Sequence, residues 1–263
     1  MSRGTFFGGV DVGASATKAA LLDAERRLIA SDVRKTGVNF EACAQEAMES
    51  ALASCGMKSG EAARIFATGY GRHNVKFAQA TRTEIACHSR AAYHFFPRKI
   101  TIVDVGGQDN KIIHIDSEGR RDNFKMNRKC AAGTGAFLEE VAQRMDIALS
   151  EIDSLARQAS HVVHMGSYCT VFTKTEILAH LRAGEKVPDI VAGLVDSVVK
   201  RIIEMDPLTG EVVISGGVVA HNPILADMLA RHLKHPVHIL PHAQLAGAIG
   251  AALLASEEIR NYE

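Results

Sequence analysis

Apolar runs of strand length, several of them ending in glycine, alternate along this chain with longer stretches whose apolar side chains recur at helical spacing, which predicts an α/β protein. Phe6–Asp11 reads as a strand that runs into the turn Asp11-Val12-Gly13-Ala14-Ser15-Ala16-Thr17-Lys18, and Ala19–Asp23 continues as a second strand with a turn at Ala24-Glu25. Glu41–Ser54 carries alanines and Met48 at helical spacing, with Gly56 as a C-cap. Ala63–Thr68 predicts a strand entering Thr68-Gly69-Tyr70-Gly71-Arg72. Thr81–Phe95 predicts a helix, with Thr83 and Glu84 near its start and Pro97 after its end. These elements make up a β-β-β-α-β-α half.

The plan then repeats. Ile100–Val105, Lys111–Ile115 and Asn123–Met126 predict three strands, and Gly135–Met145 a helix with Phe137, Leu138, Val141 and Met145 on one face. Ile147–Arg157 reads as a further helix. Gly166-Ser167-Tyr168-Cys169-Thr170 precedes an amphipathic run, Val171–Arg182, closed by Gly184 and Pro188. Ile190–Met205 is a helix, and Glu211–Ser215 a buried strand entering Ser215-Gly216-Gly217-Val218, whose glycines let a nucleoside approach the backbone. Asn222-Pro223 opens a helix, and Leu245–Leu254 is a last one, rich in Ala and Gly and suited to tight packing. The expected halves are residues 1–98 and 99–263.

The two halves open on the same motif. Asp11-Val12-Gly13, Lys18 and Asp23 recur as Asp104-Val105-Gly106, Lys111 and Asp116, an offset of 93 residues throughout. Arg26-Arg27 follow the first copy and Arg120-Arg121 the second, one residue out of step. Asp and Gly suit any tight turn at a strand end, so one copy alone says little. Two copies in one register point to a duplication in which each hairpin grips one side of a phosphate chain with its backbone N–H groups.

Charge and composition narrow the partners. The 263 residues hold 30 basic and 30 acidic side chains, a net charge of zero that gives no field for nucleic acid or an anionic membrane. A protein or small-molecule partner is expected. The longest apolar stretch, Leu245–Ala255, falls short of the roughly 20 residues that span a bilayer. Met1–Gly9 leaves no room for a signal peptide, so a cytoplasmic location is expected. His221, His232, His235, His238 and His242 cluster, yet Pro236 and Pro241 break any helix that would align them as metal ligands, so surface or turn positions are expected.

Five cysteines, without a C-x-x-C, do not suggest a disulfide framework. Cys43, Cys55 and Cys87 fall in or beside helical stretches and read as core residues. Cys130 and Cys169 each stand at an expected helix start, where free N–H groups and the macrodipole favour thiolates and the anionic cluster they ligate. Two ligands per chain are too few for a four-cysteine cluster, but a two-fold dimer supplies four. A lone cysteine is more often a small buried hydrophobe, and it is the pairing that points to ligation.

The segments D-V-G-A-S-A-T-K (Asp11–Lys18), D-V-G-G-Q-D (Asp104–Asp109) and S-G-G-V (Ser215–Val218) resemble the phosphate-1, phosphate-2 and adenosine motifs of the actin, Hsp70 and sugar-kinase superfamily. Within it, K-C-A-A-G-T-G-A-F-L-E around Cys130 and C-T-V-F-T-K-T-E around Cys169 resemble the activators of 2-hydroxyacyl-CoA dehydratases and the ATPase subunits of benzoyl-CoA reductases. The likeness spans almost the whole chain, and its cysteine motifs are more specific than its phosphate loops. It implies an α/β fold of duplicated actin/Hsp70-like (ribonuclease H-like) halves with an ATP cleft between them.

The resemblance further implies a homodimer, or a dimer with a related subunit, sharing one [4Fe-4S] cluster through Cys130 and Cys169. ATP hydrolysis would be coupled to delivery of a low-potential electron, drawn from a donor such as ferredoxin or flavodoxin, to an iron–sulfur acyl-CoA dehydratase or reductase component under anaerobic conditions. Asp11 and Asp104 would hold the water shell of Mg²⁺, and Lys18, Ser15 and Thr17 would contact the β- and γ-phosphates. Gly13, Gly106 and Gly107 would line the phosphates. Gln108 would orient the attacking water. Gly216, Gly217 and Val218 would line the adenosine, while Gly133, Thr134 and Gly135 would link the nucleotide to the Cys130 helix. Two alternatives remain open. A small-molecule kinase would use Asp104 or Asp109 as base, and a non-redox nucleotide-dependent regulator would be colourless.

Overall fold

A computed structural model describes residues 5–58, 60–127, 129–166 and 169–260. The readings that fall on Met1–Gly4 and on Ser167 and Tyr168 lie outside the described residues. In chain order the elements are β1 (Phe7–Val12), β2 (Ala16–Leu22), β3 (Leu28–Lys35), α1 (Phe40–Ser54), β4 (Arg64–Thr68), β5 (Ala80–Thr81) and α2 (Glu84–Phe95), then β6 (Ile100–Val105), β7 (Asn110–Ile115), β8 (Arg121–Asn127), α3 (Gly135–Met145) and α4 (Ile152–Arg157). They continue with α5 (Thr170–Arg182), α6 (Val187–Met205), β9 (Val212–Ser215), α7 (Gly217–His221), α8 (Ile224–Leu233), β10 (Val237–Ile239) and α9 (Ala246–Arg260). Among the described residues, no helix is long and apolar enough to cross a membrane.

The chain folds as two compact units, one of Met1–Arg98, Asp116–Arg121 and Leu245–Glu263, the other of Lys99–Ile115 and Asp122–Gln244. The first holds a sheet ordered β3-β2-β1-β4-β5 and the second a sheet ordered β10-β9-β6-β7-β8. Each is built alike. A central strand pairs antiparallel with the next strand of its hairpin and parallel with the strand that follows the unit's first helical stretch. The central strands β1 and β6 are buried on both faces, which is why they read as unbroken apolar runs.

In the first unit, Asn39 caps α1 by accepting from Ala42 N at 3.0 Å, and Thr83 caps α2 by accepting from Ala86 N at 3.3 Å. The buried face of α1 is Ala44, Ala47, Met48, Ala51 and Leu52, packed with Val10, Val12, Ala19 and Leu21 of the hairpin. Small side chains on that face bring helix and sheet close together.

The sequence pattern assigns residues 245–263 to the second half, but they return to the first unit. The reason is steric fit: α9 is a helix of alanine and glycine, and it meets β1 where β1 has no side chain. A Cβ on Gly9 would strike the backbone of Ala248 and lie 2.6 Å from Ala252 N. On the same helix, Gly250 faces Cys87 of α2 so closely that a Cβ there would lie 2.7 Å from Cys87 Cα. Neither approach is possible for a larger residue.

Twin hairpins repeat in detail. Asp23 accepts from Arg27 N at 2.8 Å and Arg27 Nε at 2.7 Å, and Asp116 accepts from Arg120 N and Arg120 Nε, both at 2.8 Å. The equivalent arginines are therefore Arg27 and Arg120, in step with the 93-residue offset. Arg26 corresponds instead to Gly119, and both have positive φ, 65° and 78°. The out-of-step Arg-Arg pairing in the sequence is a coincidence of neighbours.

Candidate functional site

Each hairpin ends in the same polar arrangement. Asp11 closes β1 opposite Lys18, and Lys18 Nζ donates to Asp11 Oδ2 at 3.3 Å. Asp104 closes β6 opposite Lys111, and Lys111 Nζ donates to Asp104 Oδ2 at 3.2 Å. The turns are closed by Gly13 N to Ala16 O (3.1 Å) and Gly106 N to Asp109 O (2.9 Å). Both Asp–Lys pairs are largely buried, the second more so. There Lys111 also donates to Asp109 Oδ1 at 2.8 Å, and Ser215 Oγ donates to Asp104 Oδ1 at 3.1 Å. Gly13 and Ser15 are half-buried at the first turn, Gly106 and Gly107 at the second, and Gln108 is exposed at the second hairpin's tip.

Thr17 differs from its expected role. Its hydroxyl is fully buried and lies 2.8 Å from Thr36 Oγ1, which itself donates to Gly13 O at 2.8 Å. Strand alternation turns Thr17 inward, so it holds the turn's shape rather than facing a ligand. Thr36, which also donates its backbone N to Ser15 O at 3.0 Å, escapes a sequence reading because nothing in its local sequence marks it.

The strand that runs parallel to each hairpin also ends alike. Thr68 and Ser215 stand beside Asp11 and Asp104 in register and are followed by Gly69 and Gly216, with φ of 90° and 101°. A Cβ on Gly69 would lie 2.5 Å from Asp11 Oδ1, and one on Gly216 2.7 Å from the carbonyl carbon of Val105. Gly247, in the first turn of α9, approaches the other carboxylate oxygen of Asp11, with a Cβ there 2.7 Å from Oδ2. In the second unit Gly217 lies beside Gln244. Gly135 sits between Gly107 and Val218, so the second phosphate turn, the expected adenosine turn and the start of α3 meet.

The two singled-out cysteines are both exposed, whereas Cys43 and Cys87 are buried and Cys55 is half-buried. Burial pushes the Cys87 thiol up to about 12, an inert group. Cys169 is the N-cap of α5, and its carbonyl accepts from Thr173 N at 2.9 Å and Thr173 Oγ1 at 2.8 Å. Cys130 does not begin a helix, contrary to the expectation from sequence. It lies in the loop after β8, where its carbonyl accepts from Asn127 Nδ2 at 3.1 Å. α3 begins only at Gly135, after a turn in which Ala131 O accepts from Thr134 N and Thr134 Oγ1. The first N–H groups of α3 go to the phosphate turn instead: Gly135 N donates to Gly106 O at 2.9 Å and Ala136 N to Gly107 O at 2.8 Å. Gly133, Thr134 and Gly135 are all buried in this link.

The segment leading to Cys169 is anchored on the first turn of α6. Asp189 Oδ1 accepts from Ser160 N at 2.6 Å, Ser160 Oγ at 3.1 Å and His161 N at 3.1 Å, and these bonds, that from His161 N above all, hold its carboxyl below the usual range. His161 Nε2 lies 2.9 Å from Glu185 Oε2. Each of these groups has its partner, so the trio reads as a fastening of the segment. Of the clustered histidines, His232 pairs with Asp196 at 2.5 Å, His238 pairs with Glu211 at 3.5 Å, and His235 donates to Pro236 O at 3.1 Å.

The model of the BadF/BadG/BcrA/BcrD ATPase family matches residues 9–255. The 2-hydroxyisocaproyl-CoA dehydratase activator of Clostridioides difficile is 35% identical over 255 residues, which cover 96% of this chain and 95% of that protein. The solved structure of the activator of the 2-hydroxyisocaproyl-CoA dehydratase from Clostridium difficile with bound ADPNP has a TM-score of 0.92 at 34% identity, covering 98% of this chain and 97% of that one. A benzoyl-CoA reductase subunit of Thauera aromatica is 27% identical, covering 95% of this chain and 92% of that protein. The fold is accordingly the duplicated actin/Hsp70-like α/β fold.

Proposed function

Since this chain belongs to the BadF/BadG/BcrA/BcrD ATPase family, we propose that it hydrolyses ATP to drive one-electron transfer to an iron–sulfur acyl-CoA enzyme. The observation that carries this reading is the pair of hydrogen bonds from Gly135 and Ala136 to Gly106 and Gly107, which join the loop of an exposed cysteine directly to a phosphate turn. A kinase or a colourless regulator would have no need of the exposed Cys130 and Cys169. A 2-hydroxyacyl-CoA dehydratase is the proposed partner, because identity to its activator exceeds that to the benzoyl-CoA reductase component.

In this reading Lys18 and Ser15 are phosphate-contacting residues of the first hairpin, with Gly13 at its turn and Thr17 shaping it through Thr36, and Gly106 and Gly107 are those of the second hairpin. Asp11 and Asp104 hold the water shell of Mg²⁺, a hard cation that keeps several waters. Gln108 orients the attacking water, and positioning is most of what phosphoryl transfer requires. Gly216, Gly217 and Val218 line the nucleoside, and Gly133 and Thr134 carry the link to Cys130.

Cys130 and Cys169 fit a [4Fe-4S] cluster shared by two chains: both thiols are exposed while the other three cysteines are not, and each chain offers half of a four-thiolate set. Such a cluster, when bound, supplies a carrier for one electron at low potential, taken from a donor such as ferredoxin or flavodoxin. The test is anaerobic purification with an absorbance spectrum and iron count. About four irons per pair of chains are expected, by the stoichiometry of that cluster. Cys130→Ser and Cys169→Ser should each abolish the iron and loosen the dimer, while Cys55→Ser keeps both. Full iron content in Cys169→Ser would overturn the reading.

A further inference from the structure

Asn110 occupies in the second hairpin the position that Thr17 holds in the first. Each pairs with a valine of the preceding strand in the same register, Val105↔Asn110 and Val12↔Thr17, and each is fully buried. Thr17 turns back onto its own hairpin through Thr36. The Asn110 amide leaves its hairpin, and its Nδ2 donates to Gly133 O at 2.6 Å. Gly133 is held from another side by α6, since a Cβ there would lie 3.0 Å from Arg201 Cγ as well as 3.2 Å from Asn110 Nδ2, and its φ is 80°. Two and three residues on, Gly135 and Ala136 donate to Gly106 and Gly107. The phosphate-2 turn thus holds the start of α3, and β7 holds the short segment between Cys130 and α3.

The fold gains little from this amide. Asn110 Oδ1 is buried with no hydrogen-bond partner among the described residues, and an unpaired buried carbonyl costs about as much as one neutral hydrogen bond returns. An apolar side chain of similar size would serve the core as well. What the amide adds is a directed tie between the strand that carries Lys111 and the loop that carries Cys130.

We propose that Asn110 is a positioning residue that passes a displacement of the phosphate-2 turn to the Cys130 loop, so that nucleotide bound at the turn is read at that cysteine. The proposal rests on the functional reading above and names the contact through which the two sites communicate. The turn's bonds to Gly135 and Ala136 fix where α3 starts, whereas the Asn110 bond fixes the loop on the cysteine side of that start. A tie with two discrete states, made or broken, is what a population shift between nucleotide states requires.

The test is hydrogen–deuterium exchange of the full chain, prepared anaerobically, with and without Mg²⁺ and a non-hydrolysable ATP analogue. In the wild type the analogue should slow exchange in residues 104–110 and change it in residues 130–136. In Asn110→Val the response at 104–110 and at Gly135 and Ala136 should persist, while that at 130–134 should shrink about three- to tenfold, the worth of one hydrogen bond. Asn110→Ser, smaller and too short to reach Gly133, should give the same result and keeps the test open if Asn110→Val does not fold. A wild-type-sized response at 130–134 in both variants would overturn the proposal, as would a wild-type response that does not reach 130–134. Iron-free wild-type protein that still shows both responses would remove the electron-transfer reading and leave the Asn110 tie standing.

Discussion

Lys18 and Lys111 occupy equivalent positions, yet their surroundings set different energetic roles. The Lys111 side chain is 4% exposed and pairs with both Asp104 and Asp109, whereas Lys18 is 17% exposed and faces Asp11. Removing one partner of a buried ion pair leaves an uncompensated charge, which costs about 3–5 kcal/mol. Lys111→Met should therefore lower stability by that order in urea denaturation, and Lys18→Met by clearly less. Equal losses would mean that the second hairpin's charges are hydrated. At this scale the Asp, Lys and Gly positions are legible in the sequence, because a repeat in one register exposes them. Thr36 and Asn110 are not, since each acts on a residue distant in the chain, and the Ser215 motif is legible without its bond to Asp104.

Among the elements, strands buried on both faces and helices with capping residues are legible in kind, because Asn39, Thr83 and the apolar runs carry local signals. The helix read at Gly135–Met145 is found at those bounds as α3, but that Cys130 stands outside it is not legible, since the first N–H groups of α3 are taken by the carbonyls of Gly106 and Gly107 and no capping side chain marks the boundary. α7 and β10 also escape, being short and lying in a stretch whose histidines and prolines hide periodicity. The fastening of the Cys169 segment to α6 allows a prediction with a definite sign. The folded value of Asp189 lies below its ordinary 3.8, so its contribution is present above that pH and is lost as the pH falls through the lower folded value. Protease should cut within residues 160–166 readily only in acid, and Asp189→Asn should admit it at neutral pH. If cutting in the variant at neutral pH matches the wild type, the carboxylate is not what holds that segment.

At the level of the whole molecule, the duplicated architecture follows from the repeated hairpin, and what the sequence hides is the return of α9. Its small residues announce close packing without saying against what. Gly9 supplies the answer, and Gly9→Ala should cost about 1–3 kcal/mol or more in thermal denaturation, the range of overpacking a filled core. Gly37→Ala, where a Cβ would meet nothing within 4 Å, should leave the melting temperature unchanged. An unaltered melting temperature for Gly9→Ala would show that α9 can stand off from β1.

That return also orders events during synthesis. As the polypeptide leaves the ribosome, every residue of the second unit, up to Gln244, emerges before the helix that completes the first. The unit begun earliest is thus finished last, with the α9-facing side of β1, Phe7 and Phe66 uncovered while more than half the protein is still being made. Chaperone attention should concentrate on that waiting sheet, and translational pausing late in the message should prolong its exposure more than pausing anywhere within the second unit.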